Sequence, residues 1–492
     1  MKKGFILFLV FSSIFNAFSQ KKSTKKALAV KMDTVKTEVV EVITKYNPQI
    51  ADASKIKKNP TITLLDQSKK KKLSYTIFSA PVASTFVPKS GVVKSIEVGV
   101  KERIYNNYVA LGFGNYTSPY IEGYVNSSTR FDSEFGLYAK YTASLDNIEN
   151  AILNSNFSNF LTTIFYKKEK RYFDWKVSLE AERKVYNWYG LPNINFTQNT
   201  LNLINENQAY NLLNAKGEID FLDAYIDKST ISVSYFSDAF RSQEFLMNFN
   251  TALNIPLDYI YSKLNGLNIN TGIEFLKGKF TNEYANQNKL NYAIFTAKIK
   301  PEYKTTISGF SLKLGTKIFG SFDTENSVNN FLIYPDIHIR KPIIKEYLNI
   351  YGGISGDLKT NTYQGFVEEN PYISPTIFMT QTSEKYNAFL GLNGLINNTI
   401  SFNISASIKD QEDAPLFLRN NSKSDGTNYT VNGVPLKGYE YGNSFNVVYD
   451  DIKTTSFSAE ITYDFTKRIT FSTNIQFDNF ELKNQSKAWN LP

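Results

Sequence analysis

The chain has no cysteine and one histidine, His338, in 492 residues. Without cysteine there is no disulfide framework, no thiolate metal site, no cysteine nucleophile and no thioether haem attachment. A single imidazole excludes HExxH zinc chemistry and a histidine-rich cage. A Ser-His-Asp triad would have to use that one ring. The sequence also lacks a Gly-rich phosphate loop and a GxSxG elbow. After Gln20 no stretch approaches the ~20 apolar residues of a membrane helix. What is abundant is aromatic: 38 Phe and 32 Tyr, in a chain whose mean hydropathy is −0.31. A polar average with many aromatic rings fits alternating strands far better than apolar helices.

The first residues read as an export signal. Lys2 and Lys3 precede an apolar run from Phe5 to Phe15, and Ala17-Phe18-Ser19 supplies small residues at a cleavage site before Gln20. An exported chain of this size without cysteine is expected in a bacterial envelope, which makes nucleic acid an unsuitable partner. The net charge of +9 includes a visible excess at Lys21, Lys22, Lys25, Lys26 and Lys69 to Lys72. Such runs form a solvated tether or meet anionic lipid head groups and acidic surfaces.

From Asn106 onward the dominant period is two. Phe457, Ala459, Ile461, Tyr463 and Phe465 alternate with Ser456, Ser458, Glu460, Thr462 and Asp464. Ile400, Phe402, Ile404, Ala406 and Ile408 alternate with Ser401, Asn403, Ser405 and Ser407. Successive side chains on a strand point to opposite faces, so each segment has one apolar and one wet face. The pattern predicts about seventeen strands, mostly longer than the 5–6 residues usual in soluble sheets. A tilted strand needs about 9–11 residues to cross hydrocarbon. The connections alternate too. Asn397-Asn398, Lys167 to Arg171 and Thr466 to Arg468 read as short turns, while residues 187–205, 358–383 and 410–442 read as long polar loops. That asymmetry is the outer-membrane pattern. Tyr172, Phe173 and Trp175, with Tyr186, Trp188 and Tyr189, are expected to form aromatic girdles at the two interfaces. The fold class expected is therefore all-β, a transmembrane antiparallel β-barrel of the outer membrane. The domain plan is a signal peptide over 1–19, a periplasmic N-terminal extension over 20–105, and the barrel over 106–492.

Residues 20–105 carry several prolines and few clean alternations. Within them Thr37-Glu38-Val39-Val40-Glu41-Val42-Ile43-Thr44 is short, acidic and β-branched. It suits either strand addition to a partner's sheet edge or a tether with no partner.

Several motifs carry a family resemblance. The run Asn107-Tyr108-Val109-Ala110-Leu111-Gly112-Phe113-Gly114-Asn115-Tyr116 with Pro119, then Tyr186 to Pro192, Glu369 to Pro375, Tyr441 to Phe445, and Ala488 to Pro492 resemble Bacteroidota outer-membrane proteins labelled TonB-dependent-receptor-like. The resemblance implies a barrel in solute uptake across the outer membrane, powered through TonB. It also implies a box-like TonB contact at Glu38, Val39, Val40, Val42 and Ile43. Two departures from a full receptor are expected. The stretch between Gln20 and the first strand is shorter than the plug such receptors hold inside the barrel. The chain also stops at Pro492 in a loop-like segment, where relatives continue to about 22 strands, the size of outer-membrane transporters.

No catalytic constellation emerges, so the chain is expected to be neither an enzyme nor a holder of a cofactor or metal. His338 shares a face with Asp336 and Arg340, which suits a lumenal hydrogen-bond network. Glu368-Glu369 and Asp450-Asp451 read as solvated surface. Two functions remain: a transport barrel, with outer-membrane lipid and TonB or another envelope protein as partners, and a non-transporting subunit of an outer-membrane secretion or assembly machine.

Overall fold

The computed structural model describes residues 105–483, apart from 130–131, 223, 259–264, 286–287, 346 and 467. The chain divides into two units, Met1–Ile96 and Glu97–Pro492, and all described residues belong to the second. The signal peptide, the N-terminal extension with Glu38 to Thr44, and Ala488 to Pro492 lie outside the described residues.

The described unit is one meandering sheet. Its strands are β1 (Tyr108–Gly114), β2 (Ser118–Thr129), β3 (Ser133–Ser144), β4 (Phe157–Glu169), β5 (Phe173–Asn187) and β6 (Asn207–Phe221). There follow β7 (Ile226–Asp238), β8 (Gln243–Ile255), β9 (Leu267–Phe280), β10 (Leu290–Ile307), β11 (Phe310–Asp323) and β12 (Val328–Ile344). The wall continues with β13 (Leu348–Thr360), β14 (Gln381–Asn397) and β15 (Ile400–Arg419). A small separate hairpin, β16 (Thr430–Val431) and β17 (Val434–Pro435), precedes the last wall strands, β18 (Phe445–Thr466) and β19 (Ile469–Leu482). The wall has 17 strands. Each pairs antiparallel with its neighbour in sequence, from β1–β2 through β9–β10 to β18–β19. All seventeen expected segments are present, most with ends displaced by a few residues.

Short turns have local causes. Ser308 (φ 51°) and Gly309 (φ 79°) both take left-handed backbone between β10 and β11. That is the two-residue turn whose twist matches the strands it joins. Between β14 and β15 the Asn397 side chain accepts from the amides of Thr399 (2.9 Å) and Ile400 (2.8 Å), closing the turn over Asn398-Thr399. Thr466 Oγ1 does the same for Arg468 (3.3 Å) and Ile469 (3.1 Å) between β18 and β19.

The two ends of the wall differ. At one end the connections between successive strands are mostly two to four residues long, with the one between β8 and β9 longer. The other end carries the long segments 145–156, 188–206, 281–289, 361–380 and 420–444 beside the short turns 115–117, 239–242 and 324–327. Two expected loops are shorter than the alternation suggested, because strands run on into them: β13 reaches Thr360 and β14 starts at Gln381, which trims 358–383 to 361–380. β15 continues to Arg419, so the loop expected from 410 begins at 420. Two short helices sit at this loop end, α1 (Gln198–Leu203) and α2 (Tyr363–Glu369). No described helix is long and apolar enough to cross a membrane; strands do the crossing.

Alternation sets the faces. Phe135, Leu137, Ile231, Ile299, Ile404 and Phe457 are exposed and point outward. Their neighbours Glu134, Lys298, Ser405 and Ser458 point to the interior. Paired strands keep outward residues together: Ile404 faces Ala459, and Tyr463 stacks on Phe471 at 6.5 Å. Because the side-chain period is two, a one-residue slip would carry the apolar band inside. We therefore expect Ile404→Arg to destabilise the barrel by about 2–4 kcal/mol near mid-membrane, and Ser405→Arg far less. Urea unfolding in lipid vesicles reads both values, and equal costs would reverse the face assignment.

Candidate functional site

The loop end is where the interior changes character. Toward the turn end, inward positions are charged or amide-bearing. Toward the loop end they become aromatic and aliphatic: Tyr210 and Leu212 on β6, Phe236 on β7, Leu276 and Phe280 on β9, and Tyr292 on β10 are all buried. The partner of this apolar ring is residues 361–380. This segment turns into the mouth and buries Tyr363, Phe366, Val367, Ile373, Ile377 and Met379 there. Its α2 starts with a capping threonine, Thr362, whose hydroxyl accepts from the Gly365 amide at 3.0 Å. Tyr363 meets Phe236, Phe280 and Tyr210 edge-on, with centroids 5.3, 5.0 and 6.2 Å apart. Phe366 meets Phe417 of β15, and Ile373 bridges to Phe445 of β18. The segment thus touches both β6–β10 and β15–β18, opposite arcs of the wall. The sequence reading of 358–383 as a polar loop is corrected here: its apolar residues face the mouth because the ring of Tyr and Phe on the strands gives them somewhere to pack.

Two buried carboxylates flank the β7–β8 turn and hold this segment. Glu244 accepts from the amides of Tyr363 (2.6 Å) and Gln364 (3.1 Å) and from the Tyr292 hydroxyl (2.8 Å). Asp238 accepts from the Tyr363 hydroxyl (2.9 Å), from the amides of Phe240 (2.9 Å) and Ser242 (2.8 Å), and from Gln208 Nε2 (3.4 Å). Burial, then the nearby Asp238 charge, holds the Tyr363 hydroxyl well above the ordinary tyrosine range. It therefore stays a proton donor at any physiological pH.

The other long loops are stitched over this mouth. Arg419 donates from Nε to the Gly442 carbonyl and from its terminal nitrogen to the Gly190 carbonyl, both at 2.7 Å. Asn443 Nδ2 donates to the Trp188 carbonyl at 2.6 Å. The Thr197 amide donates to the Gly426 carbonyl at 2.9 Å. Gly426 has φ +100°, and a Cβ there would lie 2.3 Å from the Asn195 carbonyl oxygen, so the two loops meet only through glycine. Asp425 organises that corner. The amide of Thr427, then its hydroxyl and the Asn428 amide, lower the Asp425 pKa. Trp188 is buried, ringed by Phe240 and Tyr439 at 5.4 Å each. It and Tyr186, which packs against the mouth cluster, are not girdle residues as their position near a strand end suggested. At the turn end Tyr172 and Phe173 are exposed, and Trp175 lies 5.3 Å from Tyr166.

Below the mouth the lumen wall carries linked ion pairs. Glu302 holds Lys304 (2.7 Å) and Lys313 (3.0 Å). Asp357 holds Lys300 (3.3 Å) and Lys317 (3.0 Å). Asp336 holds Lys313 (3.0 Å) and His338 (3.1 Å). His338 and Asp336 therefore meet as the alternation implied, inside a charge network rather than beside a nucleophile. Glu368 and Glu369 close α2, and Asp450 and Asp451 lie in β18, where Asp450 is buried and not on the solvated surface expected of it. Among the described residues no cluster of three or more acidic, histidine or cysteine ligands could hold a metal. The mouth residues Asp238, Glu244 and Tyr363 were not singled out from sequence. Asp238 and Glu244 are six apart across a turn, and only the fold brings Tyr363 to them.

This architecture defines the class: an all-β transmembrane barrel of the outer-membrane type, with a charged lumen under a loop-filled mouth. Its fold is that of TonB-dependent receptor barrels. It is similar to the siderophore receptor PirA of Acinetobacter baumannii, with a TM-score of 0.52 at 13% identity, covering 77% of this chain and 63% of that one. It is similar to the FrpB iron transporter of Neisseria meningitidis (F3-3 variant), with a TM-score of 0.52 at 10% identity, covering 77% and 63%. The pyoverdine outer membrane receptor FpvA of Pseudomonas aeruginosa PAO1 gives 0.50 at 9% identity, covering 77% and 62%. The chain spans less than two thirds of the length of each of these proteins. No protein-family model matches the sequence, and no curated protein matches it.

Removing a latch carboxylate should free the inward segment and spare the wall. Glu244→Ala strands two amides and a hydroxyl, at roughly 1–3 kcal/mol per buried donor left unmade. Hydrogen exchange at Tyr363 and Gln364 should accelerate strongly while β2–β5 amides keep their protection. Unchanged exchange at those two amides would show that Glu244 does not hold the segment.

Proposed function

We propose that this protein is an outer-membrane β-barrel that takes up solute in the manner of TonB-dependent receptors. The observation that carries the reading is the fold it has in common with siderophore receptors and an iron transporter. A charged lumen beneath a mouth filled by residues 361–380 supports it further. On this reading the long-loop end faces outside, the short-turn end faces the periplasm, and the wall is bathed in outer-membrane lipid. The protein is a transporter and not an enzyme, and it belongs with the Bacteroidota barrels it resembles in its motifs. TonB contacts it through Glu38, Val39, Val40, Val42 and Ile43. The β-branched run supports that part of the proposal, since an extended segment adds to a sheet edge through main-chain hydrogen bonds.

Orientation is checked by protease on intact cells. Cleavage is expected within 420–444, and the β18–β19 turn at Thr466 to Arg468 is expected to survive. First cleavage at that turn would invert the barrel.

Energy coupling is checked in a Val40→Pro strain. Proline removes one main-chain donor and fixes φ, so strand addition fails while the separately formed barrel persists. Solute uptake is expected to fall to the level of a gene deletion, with barrel abundance unchanged. Normal uptake beside a defective deletion would remove the TonB link. A deletion that instead lowered many other outer-membrane proteins would favour the secretion or assembly subunit.

A further inference from the structure

Toward the turn end, the wall of β10–β13 holds more cations than carboxylates. Lys304 and Lys313 share Glu302, Lys313 is held by Asp336 as well, and Lys300 and Lys317 share Asp357. Arg340 lies one inward position beyond His338 and pairs in register with Ser311 and Tyr351. Among the described residues its side chain makes no hydrogen bond or ion pair. A cavity of about 490 Å³ opens beside it, lined by Lys304, Lys313, Arg340, Tyr351, Phe389 and Asn393 among others. The cavity is also lined by aromatic rings. The Tyr351 and Phe389 rings lie 6.3 Å apart, and His338 lies 5.3 Å from Phe389. Tyr351 is held in place by its hydroxyl, which donates to Asn403 Oδ1 at 2.6 Å.

We propose that this cavity is a solute subsite for a small anion, a carboxylate or phosphate carried on a flat apolar body. The Arg340 guanidinium offers parallel N–H donors to the anion. Lys313 is matched by Glu302 and Asp336, while Lys304 has only the Glu302 carboxylate it shares with Lys313, so Lys304 and Arg340 carry the local positive field, which low-dielectric walls focus. The rings of Tyr351 and Phe389 flank the body of the solute. The proposal rests on the transport reading for its purpose, since it places a stopping point along the lumen. The binding itself stands on these residues alone.

The test uses the full chain purified in detergent micelles, with its folded state checked by heat-modifiable migration. Isothermal titration is run with 2-naphthoate, with 2-naphthyl phosphate, and with the neutral 2-naphthylmethanol. We expect at least one anion to bind, the tighter one identifying the favoured group, and the alcohol to bind about tenfold more weakly or worse. Arg340→Gln should weaken the anion by about tenfold or more, and Arg340→Lys should restore part of the loss. If Arg340→Gln loses its heat-modifiable form, Lys304→Gln carries the test and should weaken the same anion. Absence of binding by both anions, equal affinity for the alcohol, or wild-type affinity in the folded variant would overturn the subsite. None of these results depends on uptake in cells. A failed uptake phenotype with intact naphthoate binding would therefore remove the transport reading and leave the subsite.

Discussion

In hydrocarbon there is no water to satisfy a backbone amide or carbonyl, and each one left unmade costs several kcal/mol. The ladder of antiparallel strand pairs answers that cost across the described wall, and the rest of the structure follows from it. Once register is fixed, every second side chain faces lipid and every other one faces the lumen. Ile299 and Ile404 can then be outside only if Lys298 and Ser405 are inside. The charged lumen is thus the other half of the apolar band and needs no separate origin.

The same ladder makes the ion pairs of the wall. Lys304 and Glu302, or Lys184 and Glu182, are two apart on one strand and share a face. Cross-strand neighbours add the second partner, as Lys313 does for Glu302. Such pairs in a wet lumen contribute modestly to stability. Their consequence is to set the sign of the field along the lumen, and on β10–β13 that sign is positive.

The mouth obeys different physics. There the inward strand positions are apolar, and a loop rather than water covers them. Burying Glu244 and Asp238 is costly unless each is fully hydrogen-bonded. The amides at the start of α2 and the hydroxyls of Tyr292 and Tyr363 meet that condition. The carboxylates thereby favour one placement of residues 361–380 over others, since any shift would leave buried charge without donors. Aromatic packing gives the segment its affinity for the mouth, and the carboxylates give it a defined position.

Alternation alone determined the strands, their faces and the asymmetry of turns and loops, because in a membrane wall the local period and the global environment demand the same pattern. Phe457 to Phe465 and Ile400 to Ile408 could be assigned to opposite faces before any partner strand was known. The His338–Asp336 contact was legible for the same reason, two residues on one strand. The mouth was not legible. Tyr363, Asp238 and Glu244 are far apart or separated by a turn in sequence, and nothing local distinguishes a loop that packs inward from one that faces solvent. Trp188 was misplaced on the same ground, since an aromatic near a strand end suits both an interface girdle and a loop core. Only the curvature of the sheet, which sets β6–β10 opposite β15–β18, decided which aromatic rings would meet a loop and which would meet lipid.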